Sequence, residues 1–492
     1  MTTAAEINYD GKWRAFAAIG VAFVTNVLAM SMVFVALPSI ADDFGVTLRL
    51  VSWVVIAQSL TISSLMLPMG RVADMIGRRR MHLMGLSLFG LGSVAVAFAP
   101  SFGLLIAARV VMSVGNAMGQ SVGTAMVVAV FPEHERGTAI GSQTTAVAIG
   151  AASGPIMGGL ILQVLPWEAM FLLLLIPITI AMIAGYVVLD EARVSPALDG
   201  PKPSFDWPGA MLSGVMVMAL VLTINNPFGV AWVSPQILAG ALVTIALFAA
   251  FVVWELHSPD PMLELRLFRN RVFSTAVAAR LAGFMGSTVT NFLAPIYLIS
   301  LRQMSEASAG AILFLNSLGM GLAAQASGRL SDRYGSRRFS TLGYSILIFT
   351  ALSFSTMTRS TPLLVMMPVM FLHGLSLGLW NVPNNSTIMG SVGPERHGVV
   401  GAFTNLTRNM GNVVGQAVAS AVVVGVMVGR GFDIPLSEIG ERLGADSAFS
   451  AGWRVSFLIV AVLGVVGVAL TLSGSRSDRD QEVAPDRLRS GR

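Results

Sequence analysis

The chain has 492 residues, of which 54% are hydrophobic and 12% charged, whereas a soluble domain carries about 25% charged residues. This composition excludes an ordinary soluble protein and predicts a membrane protein. The absence of cysteine excludes disulfides, cysteine nucleophiles and thiolate metal sites, and the net charge of +5 needs no nucleic acid partner, because arginines at a membrane surface account for it.

Apolar runs of roughly 20 residues, long enough to cross a bilayer core of about 30 Å, recur along the whole chain. The first run is too long for a signal peptide and no cleavage-like site follows it, so we expect it to be retained. We predict fourteen membrane-spanning helices, in chain order at about 13–37, 50–69, 82–99, 102–130, 138–164, 169–189, 207–224, 235–254, 273–300, 308–328, 339–357, 362–391, 398–428 and 453–473.

The Lys and Arg residues predict the orientation of these spans. Of the 31 Lys and Arg residues, 22 fall on the side shared by both termini, six on the opposite side and three inside spans. Because the richer side is cytoplasmic, we expect an inner (plasma) membrane protein with both termini in the cytoplasm. The predicted segments are an N-tail 1–12, a six-helix bundle 13–189, a linker 190–206, two extra helices 207–254, a linker 255–272, a second six-helix bundle 273–473 and a C-tail 474–492.

One charged string occurs twice in the chain. GRVADMIGRRR at 70–80 and GRLSDRYGSRR at 328–338 agree at six of eleven positions, and each follows a long apolar run. A second pair, FPEHERG at 131–137 and VGPERHG at 392–398, precedes spans with spaced glycines. The chain is therefore predicted to contain two parallel halves, as do many secondary transporters whose repeats flank the substrate site.

These motifs resemble those of the major facilitator superfamily, and the fourteen spans resemble its drug:proton antiporter (multidrug efflux) family. The resemblance implies an all-α membrane protein of two six-helix bundles plus two intervening transmembrane helices, working by alternating access. The gating-loop residues that it implies are Gly70, Asp74, Gly77, Arg78 and Arg79, with Gly328, Asp332, Gly335 and Arg337 in the second copy. The string GAASGPIMGG matches the antiporter signature of span 5, at Gly150, Gly154, Pro155, Gly158 and Gly159.

The physical chemistry of these residues also suggests roles for them without reference to the family. In a turn at a helix end, Asp74 accepts backbone N–H groups or pairs with an arginine, which would latch two moving bundles; the alternative is that it only ties its own turn. Gly150, Gly154 and Gly158 are spaced by four and predict a face for close helix packing, while Pro155 predicts a kink. Ordinary packing without a gating role is the alternative.

Four charged or titratable residues are predicted inside spans: Arg109, Arg280, His373 and Arg408. Because charge inside a bilayer is costly, each is expected to face an internal cavity or a partner. His373 could titrate near neutral pH and carry a proton; the alternative is a packing histidine. The arginines could instead be held structurally by carbonyl groups or polar side chains.

No carboxylate is predicted at mid-membrane. Relatives in the resembled family often carry an aspartate in span 1, where this chain has Ala29. Proton exchange is therefore expected through His373 or a span-end acid such as Asp42 or Asp43, and loss of proton coupling is the alternative. With three buried arginines and no buried acid, a neutral or anionic amphiphile, drug-like or lipid-like, fits better than a cationic drug.

Uncharged polar residues on spans that face one another by the family's geometry are candidate substrate contacts. We expect a monomer that binds a small-molecule substrate, protons and the lipid bilayer, with no nucleic acid, cofactor or metal. No phosphate-binding loop occurs, and GLSLG at 374–378 lacks the strand–turn–helix setting of a hydrolase nucleophile, so no enzyme is expected. Uptake rather than export, and a non-transporting receptor or scaffold, remain open. The candidate substrate contacts are Asn26, Gln58, Asn116, Gln143, Asn291, Asn316, Asn381 and Gln416.

Overall fold

The computed structural model describes residues 11–195, 204–226, 230, 234–432, 434, 436, 439–440, 442 and 444–474. Within these residues the secondary structure is helical, with no β-strand. Most of the predicted tails 1–12 and 474–492, and the middle of the predicted linker 190–206, lie outside the described residues.

The described residues before 270 form eleven α-helices, of which α7 and α8 together replace the predicted span 169–189, interrupted at Leu174. Six further α-helices follow among the described residues after 270. The first group is α1 (Lys12–Phe44), α2 (Leu48–Val51), α3 (Trp53–Ile76), α4 (Arg78–Ala97), α5 (Phe102–Val130), α6 (Arg136–Val164), α7 (Glu168–Leu173), α8 (Leu175–Val188), α9 (Glu191–Val194), α10 (Trp207–Asn225) and α11 (Pro235–His257). The second group is α12 (Arg271–Ile296), α13 (Glu306–Tyr334), α14 (Ser336–Ser355), α15 (Leu363–Gly390), α16 (His397–Gly429) and α17 (Ala445–Ser473).

Among the described residues, thirteen helical segments are long and apolar enough to cross a membrane. A fourteenth long helix, α14, coincides with the predicted span 339–357. It is 20 residues long, but Arg337, Arg338 and seven Ser and Thr residues lower its mean hydropathy. The long helices of the structure therefore occupy all fourteen predicted positions.

The first charged string is more helical than expected. No glycine or proline follows Gly70 until Gly77, so α3 continues through Gly70 and Asp74 and ends at Ile76. Gly77 then adopts a φ of 101°, which favours glycine. This corrects the prediction that Asp74 lies in a turn. The second copy behaves in the same way, with Gly335 at a φ of 88°.

The chain divides into two compact units. Unit 1 extends to Leu265 and also includes Val392–Leu406, whereas unit 2 comprises Arg266–Ser391 and the chain from Thr407 onward. The first turns of α16 thus pack with unit 1, although the sequence-based boundary placed residues 392–406 in the second bundle. The two inserted helices, α10 and α11, belong to unit 1.

In unit 1, α1 packs on α6, α3 and α4 pack on α5, and α10 packs on both α3 and α11. Of its apolar clusters, one contains Met112 and Phe171 and another contains Met81 and Met126. Helix α11 buries only Phe251 and Glu255. A helix with so exposed an apolar surface is expected to face lipid.

In unit 2, α13 and α14 pack on α15, and α12 and α14 pack on α17. Its core is rich in aromatic rings. Tyr344 stacks on Trp380 with ring centroids 5.1 Å apart, and the indole of Trp453 donates to the carbonyl of Phe354 at 2.7 Å. Hydrogen bonds of this kind satisfy the buried polar atoms of Tyr344 and Trp453, whereas the indole N–H of Trp380 has no partner among the described residues.

Candidate functional site

The N-terminus of α4 is capped from a distant helix. The carboxylate of Glu191 in α9 accepts the backbone N–H groups of Arg79 and Arg80, each at 3.3 Å. A Cβ at Gly77 would overlap this carboxylate. Because the first N–H groups of a helix have no partner within it, Glu191 supplies the cap, and Gly77 is required for both its φ and its missing side chain.

Asp74 is a nearly buried carboxylate, with a side chain 8% exposed. Its Oδ1 lies 3.4 Å from the guanidinium of Arg78, and it accepts the backbone N–H of Val399. A Cβ at Gly398 would overlap its oxygens, and Arg78 also donates to the carbonyl of Pro394 at 3.5 Å. Asp74 therefore links the end of α3 to the first turn of α16, where unpaired N–H groups favour a negative charge.

The second copy of the string has different surroundings. Among the described residues, a Cβ at Gly335 would meet nothing within 4 Å, so none of their carboxylates fills the place that Glu191 occupies beside Gly77. Arg337 donates to the carbonyl of Leu472 at 3.5 Å. Gly328 is buried and Asp332 is partly buried. The two strings are thus related in sequence, but the cap that Glu191 gives to α4 has no described counterpart at Gly335.

Three glycines of the predicted antiporter motif, all in α6, pack against α1. A Cβ at Gly150 would be 2.7 Å from the carbonyl of Val24, and one at Gly154 would overlap the side chain of Ser31. A Cβ at Gly158 would be 3.3 Å from the side chain of Met32. These distances show backbone contact between α6 and α1, which only small residues permit.

The other two residues of that motif point elsewhere. Pro155 is exposed, and a Cβ at Gly159 would meet nothing within 4 Å. The close contact with α1 therefore needs the glycines spaced by four, and not Gly159.

Arg109 is buried in unit 1 without a carboxylate among its described neighbours within 4.0 Å. Its guanidinium donates to the amide oxygen of Gln58 and contacts the sulfur of Met112 at 3.4 Å. It also lies 5.6 Å from the ring centre of Phe171, a cation–π distance. The positive charge is thus held by an amide, a sulfur and a ring.

A polar stripe runs along α5 from Arg109. Ser113, Asn116, Gln120 and Thr124 follow it at intervals of three or four residues, which places all five on one face. Gln120 donates to Asn116 at 2.7 Å. Polar side chains therefore extend from Arg109 along one face of most of α5.

Other segments of unit 1 meet this stripe. Gln143 of α6 donates to the hydroxyl of Thr124 at 2.9 Å, and Asn405 of α16 donates to the carbonyl of Gln120 at 2.9 Å. Asn26 of α1 is buried and its amide nitrogen lies 3.8 Å from the position of a Cβ at Gly119. The predicted unit 1 contacts Asn26, Gln58, Asn116 and Gln143 are therefore all buried beside α5.

Arg280 is the corresponding buried arginine of unit 2. It donates to the amide oxygen of Asn381 at 2.7 Å and lies 4.9 Å from the ring centre of Phe284. Arg408 of α16 is near enough for the two positive charges to interact. Unit 2 thus brings Arg280 and Arg408 together beside an amide.

The remaining unit 2 candidates include exposed side chains. Asn316 of α13 donates to Asn291 of α12 at 3.0 Å. Asn291 and Gln416 are exposed, whereas Asn316 and Asn381 are half-buried. Exposed amides on helices of membrane-spanning length are unfavourable against lipid, so this face of unit 2 is suited to water or a polar ligand.

His373 is 1% exposed. The backbone of Ser287 lies beside its ring, but neither ring nitrogen makes a hydrogen bond of normal geometry within the described part of the chain. Phe354 packs against the imidazole with centroids 6.1 Å apart. The structure therefore places His373 in the aromatic core of unit 2.

A family model for the Major Facilitator Superfamily matches residues 19–416 of the chain. The chain belongs to the major facilitator superfamily. The predicted superfamily and all-α membrane fold are thereby confirmed, and the protein is a multi-pass membrane transporter.

Curated relatives within the superfamily cover most of the chain. The riboflavin transporter RibZ of Clostridioides difficile is 29% identical over 461 residues, which cover 94% of this chain and 97% of RibZ. Multidrug resistance protein Stp of Mycobacterium tuberculosis is 30% identical over 80% of this chain and 72% of Stp. The methylenomycin A resistance protein of Streptomyces coelicolor is 28% identical over 82% of this chain and 84% of its own length.

Solved superfamily structures share the fold. The human organic anion transporter MFSD10 superimposes with a TM-score of 0.65 at 17% identity, covering 92% of this chain and 99% of that one. The proton:xylose symporter XylE gives a TM-score of 0.66 at 12% identity, covering 95% and 96%.

Sequence reasoning missed several contacts at the superfamily's loop signature and polar stripe. Glu191 is the main example: it lies in no recognised motif, and its partner Arg79 is more than 100 residues away. Among the described residues, no group of three or more His, Asp and Glu side chains could hold a metal ion.

Proposed function

We propose that this superfamily transporter exports a small amphiphilic compound by alternating access of two six-helix bundles, in exchange for protons. A neutral or anionic, drug-like or lipid-like substrate is favoured. The observation that carries this proposal is the surroundings of Arg109, whose guanidinium contacts the amide oxygen of Gln58 and the ring of Phe171. These surroundings leave a positive charge at one end of the polar stripe on α5, which attracts anions and repels permanent cations.

Asp74 serves as the inner latch in this proposal. It joins α3 to the first turn of α16 through Arg78 and Val399. In the proposed cycle, these contacts break when the protein changes from outward-open to inward-open, and they re-form on the return. Export is supported by the resemblance of residues 150–159 to the antiporter signature and by the two resistance proteins among the relatives.

The test is transport by purified protein in proteoliposomes. Matched anionic, neutral and cationic amphiphiles are offered, with riboflavin as a first neutral probe because RibZ is similar over 94% of this chain. We expect an imposed pH gradient to drive transport of a neutral or anionic probe. Transport without a response to the pH gradient would favour an uncoupled transporter, and neither transport nor binding would favour a receptor or scaffold.

A His373→Asn variant forms a second arm of this assay. Because the ring lies in an aromatic core, we expect the variant to keep its response to the pH gradient and to unfold at a lower temperature. Loss of the pH response in a folded variant would instead identify His373 as the proton carrier, the role considered for it from sequence.

A further inference from the structure

The two inserted helices of unit 1 meet at a pair of carboxylates. Asp206 is the N-cap of α10: its Oδ1 accepts the N–H of Gly209 at 3.0 Å, and both oxygens face the indole N–H of Trp254 at 2.9 and 3.1 Å. Both oxygens of Asp206 therefore face a hydrogen-bond donor.

Glu255 is the other member of the pair, and its two carboxylate oxygens differ in their hydrogen-bond donors. It is 3% exposed, near the end of α11. Its Oε2 accepts the backbone N–H of Leu263 at 3.1 Å, and the backbone N–H of Met262 also lies near the carboxylate. Its Oε1 is buried and makes no hydrogen bond of normal geometry with the described residues. An ionised carboxylate with a buried oxygen lacking any donor is costly.

The unpartnered oxygen borders the same space as Asp206. A Cβ at Gly209 would lie 2.8 Å from Glu255 Oε1 and closer still to Asp206 Oδ2. Because Gly209 has no side chain, both oxygens can approach the same point beside α10. Two ionised carboxylates in such a place repel each other, and one of them is readily kept protonated.

Within the described part of the chain, the neighbouring elements offer the pair one positive charge. This is Arg71 of α3, which is shared with Asp260 at 4.0 Å. Hydrogen bonds from the N–H and hydroxyl of Ser204 hold the pKa of Asp260 below its usual value. Asp260 therefore stays ionised and competes for Arg71.

The other titratable groups nearby are engaged elsewhere. Glu264 pairs with Arg396 at 3.0 Å. The imidazole of His257 is exposed and its Nδ1 lies 2.7 Å from the carbonyl of Val253. Neither side chain supplies a donor to Glu255.

We propose that Asp206 and Glu255 form a proton-binding site, in which one proton is held on Glu255 Oε1 and shared with Asp206 Oδ2. The proton comes from water and returns to it, so no other reactant is needed. Arg71 lies one turn before Asp74 on α3, which places the pair beside the helix that carries the proposed latch. The binding of the proton is independent of export; its coupling to transport rests on the proposed function.

Trp254 reports the state of the pair, because its indole N–H donates to Asp206. The experiment is a pH titration, from about 5 to 9, of tryptophan fluorescence in detergent-purified full-length protein. The wild-type signal minus that of Trp254→Phe is expected to follow one proton. Glu255→Gln, which retains the shape of the side chain, is expected to abolish this transition, and Asp206→Asn to shift its midpoint by more than one pH unit towards acid. Glu264→Gln, in the same loop, is the matched control and should titrate like wild type.

Three outcomes would overturn the proposal. The first is a transition that persists in folded Glu255→Gln, and the second is a difference signal that does not change with pH. The third is a midpoint that moves when sodium chloride is replaced by choline chloride, since that would identify a sodium site. Gly209→Ala, with Gly214→Ala on the same helix as control, provides a second check: a methyl group between the carboxylates should move the midpoint only at position 209.

Transport assays separate this proposal from the proposed function. If wild-type protein moves no solute but titrates as described, the proton site stands and export fails. If it transports but shows no Glu255-dependent titration, export stands and the proton site fails.

Discussion

Asp74 combines features that a surface aspartate lacks. It is nearly buried, it contacts Arg78, and it accepts an N–H from the first turn of α16. A hydrogen bond to a charged group contributes about 1.5–3 kcal/mol, and a negative charge at a helix N-terminus adds about 0.3–1 kcal/mol. Together these contacts are strong enough to bias one conformation without making it permanent.

We expect Asp74→Asn to fold normally and to transport about tenfold more slowly, which corresponds to the loss of roughly one charge-assisted hydrogen bond. The amide oxygen still accepts the Val399 N–H, so only the charge is lost. Initial rates in proteoliposomes measure the effect, with Glu264→Gln as a control for loss of a nearby acidic charge. An unchanged rate would reduce Asp74 to a residue that only ties the end of α3.

At the level of elements, spaced glycines govern how closely helices approach. Gly150, Gly154 and Gly158 bring α6 onto α1 in unit 1. In unit 2, a Cβ at Gly411 would be 2.7 Å from Phe284 Cβ, so α16 approaches α12 in a similar way. Both contacts need a missing side chain at a particular turn, not a glycine-rich composition.

Gly154→Ala is expected to destabilise the protein by about 1–3 kcal/mol, the usual cost of an extra methyl group in a packed contact. Rotation of Ser31 relieves only part of the overlap, because the backbone nitrogen of Met32 is also 3.0 Å away. Thermal unfolding in detergent measures the change. Gly159→Ala on the same helix, where nothing lies within 4 Å, should be neutral; equal losses at both sites would refute the contact argument.

At the scale of the molecule, α16 is shared between the units. Its residues up to Leu406 pack with unit 1 and those from Thr407 with unit 2. Alternating access, as proposed, requires the first turns of α16 to separate from α5 during the cycle. The cysteine-free chain makes this directly testable by cross-linking.

An Ala125→Cys, Gly401→Cys pair is suited to the test, since a Cβ at Gly401 would lie 3.7 Å from Ala125 Cβ and disulfides span about 3.5–4.5 Å between Cβ atoms. We expect oxidation of the double variant to reduce transport at least tenfold, and reduction to restore it. Each single-cysteine variant should be insensitive to oxidant. Full transport by the cross-linked protein would show that this contact does not open.

Much of the architecture follows from the order of residues alone. Run lengths placed fourteen long helices, and the string at 70–80 with its copy at 328–338 indicated duplication and the superfamily, because these signals are local. The predicted helix ends were less accurate. Helix α3 continues to Ile76, beyond the end of its apolar run at residue 69, because VADMI contains no residue that breaks a helix.

What only the tertiary structure decided is which side chains meet. Glu191 reaches Gly77, Asp206 lies beside Glu255, and His373 is buried against the ring of Phe354. Each of these outcomes joins segments tens to hundreds of residues apart, or depends on the direction in which a helix faces. Because successive residues of a helix point about 100° apart, apolar length determines that a segment spans the membrane, whereas packing against its neighbours determines what each side chain contacts.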